Sequence, residues 1–131
     1  MTDMVPVLVE ISLGELVDKL TILQIKSERI ADETKLLNVR QELEALAGAL
    51  ALAVPQPPAE LAQSRDELRT VNEALWDVEN DIRRAEAAGD FGPHFIALAR
   101  SVYLHNDRRS ALKRHINELL GSRLIEEKSY S

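Results

Sequence analysis

The sequence predicts an all-α fold, an antiparallel four-helix bundle with a short strand before it and an extended tail behind it. Three observations predict this. Apolar residues recur at spacings of three and four along four long segments. The breaks between those segments carry helix caps, prolines and glycines. With five Gly and five Pro in 131 residues, the chain also lacks the turn residues that an all-β fold needs.

In chain order, Val5, Val7, Val9 and Ile11 alternate with Pro6, Leu8 and Glu10, which predicts a β-strand over 5–11. Pro6 places it at an edge, and its partner is either the tail or the same strand of another subunit. Ser12 is a predicted N-cap, with Glu15 completing a capping box. A helix over about 13–31 follows, with a seam of Leu13, Leu16, Leu20, Leu23, Ser27 and Ile30. Ile22 and Ile25 add a second apolar side. Asp32 caps a second helix over 33–53, with Leu36, Val39, Leu43, Leu46 and Leu50 on one stripe. Pro55, Pro57 and Pro58 end it, because proline removes donors and fixes φ. The third helix, over 58–88, repeats Leu61, Ser64, Leu68, Val71, Leu75, Val78, Ile82 and Ala85 without a slip. Gly89 ends it and Pro93 opens the fourth, over 93–120, which Gly121 terminates. The tail carries Leu124, Ile125 and Tyr130 and is expected to dock in extended form.

Composition bounds the rest. Hydrophobic residues at 45% and charged residues at 29% describe one globular domain spanning 1–131. Aromatics are 4%, so the core must be aliphatic. The chain has no cysteine, which excludes disulfides and thiolate chemistry. No apolar run approaches the ~20 residues of a membrane span, and residues 1–12 lack a basic leader. A cytoplasmic protein without a membrane partner is expected. A net charge of −6 disfavours nucleic acid.

The seam of the fourth helix holds the most informative residues. His105 and Arg109 are polar at successive core positions, with Asn106 and Asp107 between them. Counting back through the turn sets Asn72 and Glu73 opposite, and Ser27 interrupts the first helix in the same way. These seven define a candidate polar pocket in which Arg109 holds a small anionic ligand and His105 moves a proton. The same residues also fit a closed, satisfied network, because a buried polar group costs free energy unless paired. Carboxylate-bridged di-iron chemistry is ruled out by the absence of Glu-x-x-His before His94, His105 or His115. Glu73, Asp77 and Asp81 line one face of the third helix and, with Glu15 and Asp18, could hold Mg²⁺ for phosphohydrolysis. Lys19, Lys26, Arg29, Arg40 and Arg109 could serve a chorismate-mutase-like dicarboxylate site. Neither pattern is specific. No cofactor or metal is expected.

The runs Gly14–Lys26 with Glu28, Arg29 and Ile30, Leu75–Arg83, Ala99–Tyr103 with Asn106 and Asp107, and Glu126–Tyr130 resemble an uncharacterised bacterial family, a domain of unknown function. The resemblance covers nearly the whole chain. It implies a small bacterial cytosolic protein and a link to envelope-sugar biology, but no activity that can be transferred. Its polar motif residues are Asp18, Lys19, Lys26, Asp77, Asp81, Arg100, Tyr103, Asn106 and Asp107. The expected function is a non-catalytic interaction or scaffold module, self-associating as a homo-oligomer or binding another protein. An enzyme or small-ligand binder around Arg109 and His105 is the alternative.

Overall fold

The computed structural model describes residues 4–130 and contains four helices: α1 Leu13–Arg29, α2 Glu33–Ala53, α3 Ala59–Ala87 and α4 Pro93–Leu120. The fold is all-α and bundle-like. Local chemistry accounts for the helix ends. The Ser12 hydroxyl accepts from the Glu15 amide at 3.1 Å, and the Asp32 carboxylate accepts from the Lys35 amide at 2.9 Å. Proline occupies the start of α4. Gly121 closes α4 in the left-handed region at φ 66°, where a side chain would be strained. The expected capping box is only half formed, because the Glu15 carboxylate turns away to Lys113.

Helix α1 is the hub. It packs against each of the other three helices, α3 packs along α4, and α2 lies against α1 alone. Leu16, Val17 and Leu20 of α1 meet Leu61, Leu68 and Val71 of α3 and Leu112 and Ile116 of α4 in one aliphatic core. Leu50 joins it from the end of α2, and Leu43 and Leu46 pack against its edge. Closure is tightest where α1 begins. A Cβ on Gly14 would lie 2.2 Å from the Lys113 carbonyl oxygen, so only glycine lets the two backbones approach.

Helix lengths decide what this hub can cover. Helix α1 has 17 residues, against 29 in α3 and 28 in α4. At 1.5 Å per residue, α1 spans about 26 Å beside two helices each more than 40 Å long. Arg29, the last residue of α1, pairs with Asp77 at 2.8 Å, which marks the level where cover ends. Beyond it Val78, Ile82, Phe95, Leu98 and Val102 are only partly buried, although the apolar spacing of the sequence continues through them.

The expected strand over 5–11 does not form. No strand occurs among the described residues. Met4, Val5, Val7, Leu8 and Val9 are 73–91% exposed. An isolated strand leaves its amides and carbonyls unpaired, so alternation alone cannot make one. The tail, one of its two expected partners, meets this segment through the Arg123–Glu10 ion pair and gives it no backbone ladder. The tail itself is non-helical and is held to α4 by Lys113–Glu126 at 2.9 Å and Arg114–Glu127 at 3.0 Å. Ser131, its final residue, lies outside the described residues.

Candidate functional site

A four-residue polar layer crosses the core where α1, α3 and α4 meet. Asp18 of α1 is completely buried. Arg109 of α4 grips it with two parallel bonds, Nε to Oδ1 at 2.9 Å and Nη2 to Oδ2 at 2.5 Å. Asn72 of α3 donates its side-chain amide to Asp18 Oδ1 at 3.0 Å and to Thr21 Oγ1 at 2.8 Å. The Thr21 hydroxyl donates to the Asp18 carbonyl at 2.8 Å. Among the described residues no buried side-chain nitrogen or oxygen lacks a partner. The guanidinium pKa of Arg109 is raised, first by its hydrogen bonds to Asp18, which outweigh burial, and then by the nearby charges of Asp18, Glu15 and Glu126.

A second cluster sits one turn along α4. Lys113 Nζ bridges Glu15 of α1 at 2.6 Å and Glu126 of the tail at 2.9 Å. Burial, the largest single influence, pushes the Lys113 amine down, but the hydrogen bonds to Glu15 and Glu126 together leave it raised. The Glu126 carboxyl is correspondingly lowered, chiefly by its bond to Lys113. Buried Asn117 closes this end by accepting from the Gly14 amide at 2.6 Å. Helix start, helix end and tail are therefore tied at one level.

Of the residues expected to form a pocket, the structure brings Arg109 and Asn72 together. The other five lie outside their network. His105 Nδ1 is 2.8 Å from the Ser101 carbonyl and 3.0 Å from its hydroxyl, a local arrangement within α4. The Ser27 hydroxyl donates back to the Gln24 carbonyl at 2.6 Å. Glu73 is bonded by Arg69 at 2.9 Å and reached by Arg29 at 3.5 Å. Asn106 and Asp107 instead line a cleft of about 420 Å³ with Val102, Tyr103, Lys128 and Tyr130. A one-residue step along a helix turns a side chain by about 100°, which is why neighbours of Arg109 in sequence face elsewhere.

Among the motif residues, Asp18 is the centre of the layer. Lys19 and Arg100 are exposed, and Lys26 is partly buried. Asp77 pairs with Arg29, and Asp81 with Arg84 at 2.7 Å. The acidic line Glu73, Asp77, Asp81 is thus occupied by arginines. Among the described residues no three acidic or histidine side chains gather closely enough to hold a metal ion.

Sequence reasoning named Asp18, Arg109 and Asn72 without joining Asp18 to the other two, and missed Thr21, Lys113, Asn117 and Gly14. A signal was present. Asp18 and Thr21 are three apart and interleaved with Val17, Leu20 and Leu23, so a helix apolar on two sides must bury both.

Arg109 and Asn72 also reach a surface. With Ile22, Ile25, Leu75, Trp76, Glu79 and Asn80 they line a cleft of about 280 Å³ at the level where α1 ends. Arg29 lies over the Trp76 ring at 5.9 Å, on the rim of the same region.

These features define an all-α domain of three helices joined by a buried ionic layer, with a fourth helix on its flank. A family model described as a family of unknown function, DUF6165, matches residues 7–131, and the chain belongs to that family. No curated protein and no solved structure matches it. No helix among the described residues is long and apolar enough to cross a membrane.

Proposed function

We propose that the protein is a non-catalytic interaction module of a bacterial cytosolic system, and that it self-associates. One observation carries the reading: the buried Asp18 carboxylate is engaged at both oxygens by Arg109 and Asn72, while apolar side chains are left uncovered outside. Phe91 and Ile96 are 55–56% exposed where α3 and α4 run past the end of α1, and Tyr103 and Leu104 are 52–55% exposed further along α4. The segment before α1 adds five more exposed apolar residues. Contiguous exposed apolar surface marks protein contact sites. The helix directions we infer are antiparallel for α3 and α4, supported by the pairs Glu60–His115 and Glu67–Arg108, whose numbers run oppositely.

Anion capture at Arg109, the alternative reading, is weakened by Asp18, which offsets the guanidinium charge. Phosphohydrolysis would need acids free of the arginines that Asp77 and Asp81 already bind.

Sedimentation equilibrium over a wide concentration range tests self-association. The expected result is a mass that rises with concentration and returns to that of one chain when Ile96 and Leu104 are both replaced by Ser. A single-chain mass at millimolar concentration would overturn it.

A further inference from the structure

We propose that the cleft where α1 ends is a binding site for a small neutral molecule, a planar ring bearing a carboxamide or lactam. The walls are apolar: Ile22 and Ile25 from α1, Leu75 and Trp76 from α3. Arg109 and Asn72, also among its lining residues, are the polar groups that the buried layer has already positioned. What they have left to offer follows from the bonds they make. Arg109 uses Nε and Nη2 on Asp18, and Asn72 uses its amide nitrogen on Asp18 and Thr21. Among the described residues no partner takes Arg109 Nη1 or the Asn72 side-chain oxygen. One is a donor and the other an acceptor. A carboxamide presents the complementary pair, its oxygen to the guanidinium and its amide to the asparagine.

Charge selects against an anion. Asp18 offsets Arg109, Glu79 adds a carboxylate at the rim, and Arg29 is engaged by Asp77 and Glu73. An incoming carboxylate would shed its water without gaining a free countercharge. Size points the same way. Small-molecule pockets start at roughly 300 Å³, so a cleft of about 280 Å³ takes one ring and its substituent. Because both polar groups are held by the buried layer, they need no reordering on binding.

Trp76 is the only tryptophan, so its fluorescence reports on this wall alone. The experiment titrates the full chain with benzamide and with benzoate. It follows the Trp76 emission and the backbone amide shifts of isotope-labelled protein. Benzamide is expected to change the emission saturably at millimolar concentration and to shift Ile22, Ile25, Leu75 and Trp76. Benzoate is expected to bind about tenfold more weakly or not at all. Ile22→Phe, which fills the cleft, should abolish the benzamide response. If that variant fails to fold, the amide map of the unaltered chain decides. Equal or tighter benzoate binding, shifts centred elsewhere, no response to benzamide, or full response in a folded Ile22→Phe chain would each overturn the proposal.

Discussion

Along the packed pair α3 and α4, the half beneath α1 and the half beyond it are built differently, although their sequences repeat the same apolar spacing. Beneath α1, Leu68, Leu112 and Ile116 are buried among three helices, and the buried Asp18 carboxylate is bonded at both oxygens. Beyond Arg29 two helices face each other alone. Only Ala85 is fully buried there, and larger side chains of the same stripe stay half open. A helical stripe states which face wants to be covered, but the length of the covering helix decides how much of it is.

The first way to break this contrast is at the ionic layer. Arg109→Met should cost about 3–5 kcal/mol in urea unfolding, since it strands the Asp18 carboxylate in a core that cannot hydrate it. The double variant Asp18→Leu with Arg109→Met should recover most of that loss, because two apolar groups leave no uncompensated charge. A loss below ~1 kcal/mol for the single change would place the pair with ordinary exposed ion pairs.

Close packing gives the next effect. Gly14→Ala should cost about 1–3 kcal/mol, because its methyl group meets the Lys113 backbone. Gly48→Ala meets nothing within 4 Å in the middle of α2 and should gain about 0.5–1 kcal/mol. Melting curves of the two variants should therefore move in opposite directions.

On the open half, Ile96→Ser should change the stability of the single chain by less than about 0.5 kcal/mol, as for an exposed substitution. The same change should lower self-association. A large destabilisation of the monomer would mean that the free half is covered after all.

The smallest effect expected is a pH dependence of the tail. Glu126 is lowered from its ordinary 4.5 by its bond to Lys113. Its contribution is therefore complete above that ordinary value and is lost as pH falls through the lower value in the folded chain. Lys113 is raised, so its share is present at and below its ordinary 10.5 and lost only as pH climbs through its higher folded value. Amide shifts of residues 124–128 should accordingly move at both extremes and stay constant near neutrality. Movement near pH 7 would contradict the assignment.

Much of the helical layout was legible because helix ends are local events. Ser12, Asp32, the proline cluster at 55–58 and Gly121 each act within a turn of their own position, and the observed helices begin and end within two residues of expectation. The absence of a β-strand at 5–11 was not legible, since a strand exists only with a ladder partner and the alternation there says nothing of whether one is present. The candidate site was half legible. Arg109 and Asn72 could be placed opposite each other by counting through a turn. Their true centre, Asp18, sits on a helix whose register against α4 is set by the Gly14–Lys113 contact, 99 residues apart in sequence.

Amide hydrogen exchange, measured at a concentration where the chain is a monomer, tests the contrast between the two halves of α3 and α4 most directly. Amides of residues 16–23, 68–72 and 112–116 should exchange only through global unfolding, while those of 79–86 and 94–98 should exchange through smaller local openings. Uniform protection from one end of α3 and α4 to the other would contradict the account.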